Sequence, residues 1–252
     1  MTALSLASRD YVLTLADDEH MVGARHTGWI GLGPFLEEDL AFCSIAQDEL
    51  GHAIALYRLV TGEDAAVDEL ALRRSPDEYR SSWLAEWPCA DWASALVRHW
   101  LYDRAEELRW ENVAGSSIEG LAELVPLARR EEAFHMRHAD QLLTRVMADH
   151  SATTVVLAAA RELRPLAATL WVPPLEEAAA LEEGVAARPF AELAADWERG
   201  VDADLLRWGA DPAASQGPAV ELPADRRVRS EHFAEFHAGL NEVVSIDPTA
   251  VW

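Results

Sequence analysis

Two copies of one short pattern, Glu49-x-x-His52 in QDELGHA and Glu132-x-x-His135 in REEAFHMRH, set a carboxylate three residues before an imidazole. In a helix, residues three apart share a face, so each pair can reach a single ion. One such pair alone is most often a solvated surface, and the recurrence is what carries information. Each copy also has an acidic residue upstream at nearly the same interval: Glu19 lies thirty residues before Glu49, and Asp103 twenty-nine before Glu132. Both halves of the chain read carboxylate, breaker, Glu-x-x-His, with breakers at Gly31 to Pro34 and Gly115 to Ser117.

Helix geometry turns these separations into heights. At a rise of ~1.5 Å per residue, Glu19 to Gly31 is about 18 Å and Pro34 to Glu49 about 22 Å, and the second half repeats both lengths from Asp103 to Gly115 and from Ser117 to Glu132. Each half is then an antiparallel hairpin with its acid and its Glu-x-x-His at one level. Two hairpins packed together gather four carboxylates and two imidazoles in one layer of a four-helix bundle, the donor set of ferritin-like di-iron and di-manganese carboxylate proteins. Such carboxylates, buried together, either protonate or bind cations, and two divalent ions neutralise four of them. The expected metal ligands are Glu19, Glu49, His52, Asp103, Glu132 and His135, holding two iron ions, with manganese possible.

Face placement supports this set. Leu15, Glu19 and Val22 fall on one stripe, as do Leu96, Trp100 and Asp103. Glu106 points away from that second stripe, whereas Glu107 stays near it as a rival to Asp103. Asp48 and Glu131 each precede a Glu-x-x-His, where they can accept a hydrogen bond from the ligand imidazole across the bundle and fix its tautomer. His20, His26, His99, His138, His150, His232 and His237 lack paired spacing and are read as structural or surface residues.

The elements that must position these groups are helices almost everywhere. Apolar residues recur at helical spacing, as at Val12, Leu15, Met21 and Val22, or at Leu36, Leu40, Ile45 and Leu56, and the pattern predicts helices over 5–29, 35–60, 91–113, 119–148, 152–170, 188–207 and 227–244. The fold class is all-α: one domain over 1–252, with a four-helix core in 1–150 and a helical extension in 151–252. Ten tryptophans suit a bulky core. Cys43 and Cys89 are too few for a thiolate metal site and are read as buried free thiols.

The formal charge of −23 comes from 44 acidic residues against 21 basic ones, all of them arginine. Such a field repels phosphate backbones, so no nucleic acid is expected as a partner. Without lysine, Schiff-base and P-loop chemistry are excluded. No apolar run reaches membrane-spanning length, and acids interrupt the N-terminal stretch where a signal peptide needs its apolar core, so a cytoplasmic protein with no membrane partner is expected. Electrons for any redox chemistry must come from outside, because no Gly-x-Gly-x-x-Gly fingerprint and no cysteine set are present.

LADDEHMVGARHTGW, QDELGHA, WLYDRAEEL and REEAFHMRHAD resemble the phenylacetyl-CoA epoxidase subunit family, the PaaA and PaaC proteins of bacterial phenylacetate breakdown, and the resemblance covers most of the chain. In the catalytic PaaA proteins of that family the corresponding positions hold di-iron ligands, with an aspartate where Asp103 stands. The length and the ending RRVRSEHFAEFHAGLNEVVSIDPTAVW look like PaaC, a structural partner whose ligands are partly lost. Here all six are present. The resemblance implies a PaaC-like component of a multicomponent ring-1,2-phenylacetyl-CoA epoxidase, with two iron ions bridged by Glu49 and Glu132 and positions open for O₂. Its implied partners are a catalytic PaaA-like subunit, the other epoxidase subunits, a reductase and the aromatic acyl-CoA of the complex, in a homo- or hetero-oligomer. Two alternatives stand beside it: a non-catalytic structural subunit with a vestigial metal site, and a ferritin-like ferroxidase or manganese catalase.

Overall fold

A computed structural model describes residues 4–63 and 66–247, and no strand occurs among them. Four long helices form the bundle: α1 (Leu6–Thr27), α2 (Leu36–Thr61), α5 (Trp92–Asn112) and α6 (Glu119–Val146). Short helices α3 (Val67–Leu72) and α4 (Trp83–Glu86) lie in the crossover between the two hairpins. After the bundle come α7 (His150–Ala167), α8 (Glu177–Glu182), α9 (Phe190–Arg207), α10 (Phe233–Leu240) and α11 (Glu242–Ile246). The fold is an all-α, ferritin-like bundle with additional helices, as the periodicity implies. No helix among the described residues is long and apolar enough to cross a membrane.

Local chemistry sets where these helices begin. The Ser5 hydroxyl accepts the Ser8 N–H at the start of α1, Asp91 accepts from Ser94 at α5, and Asp149 accepts from Ser151 and Ala152 at α7. The four bundle helices fall within two residues of their expected limits. The helix expected over 227–244 does not form as one piece: helix begins only at Phe233 and is interrupted at Asn241. The preceding stretch is committed elsewhere, since the Asp225 carboxylate takes the Arg227 N–H and Glu86 takes the Ser230 N–H. The terminal tryptophan of the sequence motif, Trp252, lies outside the described residues.

Helix α1 is the centre of the molecule. Every residue from Asp10 to Gly23 is buried, so its periodicity carries almost no contrast between faces. One hydrophobic cluster runs from Ala7 in α1 to Phe233 in α10 and includes both the bundle and the later helices. α9 is clamped to α5 by polar bonds as well: the Trp197 indole donates to the Leu101 carbonyl, and Asp204 accepts from Trp100 and Arg104. Cys43 contradicts the expectation of two buried thiols. It is exposed, because it shares the outward stripe of α2 with Leu36, Leu40 and Gln47, and Cys89 is partly exposed.

The chain after α9 crosses α7 at close range. A Cβ built on Gly217 would stand 1.8 Å from the Arg161 carbonyl oxygen. Gly217→Ala must therefore push backbone against backbone, and a loss of about 1–3 kcal/mol is expected. Urea unfolding of the variant beside the parent chain checks this, and an unchanged midpoint would contradict it.

Candidate metal centre

Three consecutive acids on α1, Asp17, Asp18 and Glu19, are all fully buried and point in three directions, each about 100° from the last. Asp17 takes the Tyr57 hydroxyl at 2.6 Å, the Arg80 N–H at 2.6 Å and the Arg74 guanidinium. Asp18 takes Arg109 and Arg226, each at 2.9 Å, and the Ser82 N–H at 2.5 Å. Glu19 meets no arginine. It faces the His52 Nδ1 at 3.5 Å, together with Glu49 and Glu106.

Around Glu19 the four bundle helices bring all six expected residues together. They form two groups, Glu19, Glu49, His52 and Glu132 in one and Glu49, Asp103, Glu132 and His135 in the other, and within each group one ligand atom per residue lies within 4.8 Å of the rest. Glu49 and Glu132 belong to both. The inward Nδ1 of His135 lies 3.4 Å from Glu132 and 3.7 Å from Glu49. Gly23 permits the close approach of α1 and α2 here, since a Cβ on it would meet the Glu49 Cβ at 3.0 Å.

The outward nitrogens of both imidazoles are tied across the bundle, each to the acid that precedes the opposite Glu-x-x-His. His52 Nε2 is 2.8 Å from Glu131, and His135 Nε2 is 3.3 Å from Asp48. If those nitrogens carry the protons, both Nδ1 atoms present lone pairs to the interior. The inner side is unsatisfied: both oxygens of Glu19, Glu49, Asp103 and Glu132 and the Nδ1 atoms of His52 and His135 are buried without a hydrogen-bond partner. A core normally satisfies its polar atoms. Ten converging donors left open are what a pair of hard divalent cations requires, so the residues present fit a dinuclear centre.

Electrostatics point the same way. Burial and the charge of Glu19 push the Glu49 carboxyl well above the usual range, and burial lifts Asp103 to about 8. Against the opposing effect of burial, the Glu19 and Glu132 carboxylates raise His52 to about 9. A divalent ion bound among these groups would displace their protons.

Two sequence readings on α5 are corrected here. Glu106, expected to point away, is 1 % exposed, lies against Glu19 and is paired with Arg109 at 3.0 Å. Glu107, the expected rival of Asp103, has a side chain 59 % exposed and pairs with Arg104 outside. The reason is that α5 is buried on most of its circumference. Trp100 turns toward α9 while Asp103 turns toward the bundle, so the two do not define one inward stripe. Sequence reasoning also passed over a histidine layer beside the carboxylates. His99 Nδ1 is 2.9 Å from Asp103 Oδ2, His99 Nε2 is 3.2 Å from His138 Nδ1, and His138 Nε2 is 2.9 Å from Glu38. His26 packs on His99, with ring centroids 5.5 Å apart. Burial drives His99 down to about 3 and His138 to about 4, which keeps both neutral. The spacing of His99 and Asp103, four residues apart, was the available signal.

Residues 3–252 match the protein family described as phenylacetic acid catabolic protein. The chain is also 26% identical, over 248 residues, to the C component of 1,2-phenylacetyl-CoA epoxidase from Escherichia coli (strain K12), a match that covers 96% of this chain and 98% of the other.

Proposed function

The chain belongs to the phenylacetic acid catabolic protein family, and from that premise we propose that it is a PaaC-like subunit of a multicomponent phenylacetyl-CoA epoxidase with a dinuclear metal centre of its own. The observation that carries the metal centre is the pair of overlapping, unpartnered donor groups that share Glu49 and Glu132. In this reading Glu19 and His52 would hold one ion and Asp103 and His135 the other, with Glu49 and Glu132 within reach of either.

Two ferrous ions, when bound, supply the reduction of O₂ that epoxidation of an aromatic ring requires. The chain's own residues bind and orient. Glu131 and Asp48 hold the imidazoles so that Nδ1 faces inward, which fixes ring position and raises ligand basicity. The Trp110 ring beside His52, at 5.4 Å between centroids, and Phe42 beside His99, at 5.4 Å, shield the layer from water. Arg109 neutralises Glu106 next to Glu19, so that this extra carboxylate adds little net charge to the centre.

The same proposal covers partners and location. A PaaA-like subunit and a reductase complete the enzyme, the latter because this chain has no sequence elements for a flavin, a nicotinamide or an iron–sulfur cluster. A net charge of −23 favours docking to a more basic companion. The complex acts in the cytoplasm on an aromatic acyl-CoA.

Metal analysis tests the reading. After anaerobic loading with ferrous iron and removal of the excess, two equivalents per chain are expected, and the melting temperature should fall when a chelator strips them, as it must for ions that bind the native state alone. A chain that retains no iron or manganese sinks the proposal.

A further inference from the structure

Two clefts reach the carboxylate layer from outside. One, of about 230 Å³, opens between α2 and α6 and ends on His52 and Glu131, with walls that include Trp110, Leu124 and Leu127. The other, of about 150 Å³, opens between α5 and α6, is lined by Glu107, Arg129, Ala133 and Met136, and ends on Glu132. Glu132 is 2 % exposed, and both its oxygens lack a hydrogen-bond partner.

We propose that the α5–α6 cleft is the passage by which hydrated divalent cations reach the layer, with Glu107 as the outer carboxylate and Glu132 as the inner one. The inference rests on the metal-binding reading above. A divalent ion sheds its water only as oxygen donors replace it, because an ion stripped in apolar surroundings is far too costly. The α2–α6 cleft also carries carboxylates, Asp48 and Glu131, but both are engaged by the ligand imidazoles, His135 at 3.3 Å and His52 at 2.8 Å, and none of the four inner carboxylates lines it. The α5–α6 cleft has a carboxylate at each end and, at ~30 Å³ per water, room for a few water molecules between them. Glu132 is also shared by both donor groups, so an ion that arrives there can pass to either half.

Charge at the rim sets the rate. The Glu107 carboxylate is exposed to solvent, where its 2.9 Å pair with Arg104 is screened and leaves it able to attract cations, while Arg129 opposes it and is paired with Glu111 at 2.6 Å. The two should therefore act in opposite directions when neutralised, which a structural disturbance alone does not produce.

The test is stopped-flow uptake of Co²⁺ by the metal-free full chain, followed by the visible absorption of the bound ion. Glu107→Gln should slow uptake about threefold and Arg129→Gln speed it by a similar factor. Ala133→Phe, which fills the cleft, should slow it about tenfold or more, and Leu127→Trp in the other cleft should leave it unchanged. All four variants should reach the parent's cobalt content at equilibrium. Equal rates throughout, or slowing in Leu127→Trp alone, overturn the passage while the metal site stands. A parent chain that takes up no Co²⁺ overturns both.

Discussion

Asp18→Asn is expected to lower the stability of the chain by about 3–5 kcal/mol, because Arg109 and Arg226, each 1 % exposed, would lose the carboxylate they share. Asparagine has nearly the same shape, so no cavity opens and the loss is electrostatic. For a chain of this size the change corresponds to a fall of ~6–20 °C in melting temperature, readable by calorimetry. Arg226 also donates to the carbonyls of Val172 and Arg80, at 2.7 and 3.0 Å, and Arg109 reaches the Thr14 carbonyl at 3.4 Å. A fall below about 2 °C would mean that those carbonyls, together with Glu106 at 3.0 Å from Arg109, satisfy the guanidinium groups. The neighbouring acid supplies the contrast. Glu19 has no arginine partner but faces His52 at 3.5 Å and is held down to about 2 despite its burial, so in the metal-free chain at neutral pH Glu19→Gln should lower the melting temperature by less than Asp18→Asn does.

The second large effect concerns metal content. Glu49→Ala should abolish binding of both ions, because Glu49 is common to both donor groups, whereas Asp103→Ala should weaken mainly the ion on the His135 side. Removing an acid behind a ligand, as in Asp48→Ala or Glu131→Ala, should weaken binding by only about 10–100-fold. Titration with ferrous iron under anaerobic conditions separates the three cases. If Glu49→Ala still binds two ions tightly, the shared carboxylates are not bridges. The same substitution made together with His52→Ala in the reconstituted complex asks where turnover occurs. Lost epoxidation assigns chemistry to this chain, and unchanged epoxidation makes it a structural subunit with an idle centre.

Much of this was legible in the sequence. Spacing alone gave the two hairpins and the common height of Glu19, Glu49, Asp103 and Glu132, because the rise of a helix is fixed and the breakers at Gly31 to Pro34 and Gly115 to Ser117 mark its ends. The crossed hydrogen bonds from His52 to Glu131 and from His135 to Asp48 follow from each acid standing next to its Glu-x-x-His. Orientation about the helix axis was less secure. Periodicity reports a buried face only when another face is wet, and along α1 from Asp10 to Gly23 there is no wet face.

What the sequence determined by itself is the donor inventory and its level along the bundle, since both depend on local geometry and residue type. What only the tertiary structure decided is which buried acid receives which counter-charge. Asp17 and Asp18 are neutralised by Arg74, Arg109 and Arg226, which are brought from 57, 91 and 208 residues away. Glu106 turns inward and Glu107 outward on a helix covered on several sides. Coulomb interactions act through space rather than along the chain, so Glu19 is left facing the other carboxylates because Arg74, Arg109 and Arg226 are directed at its neighbours.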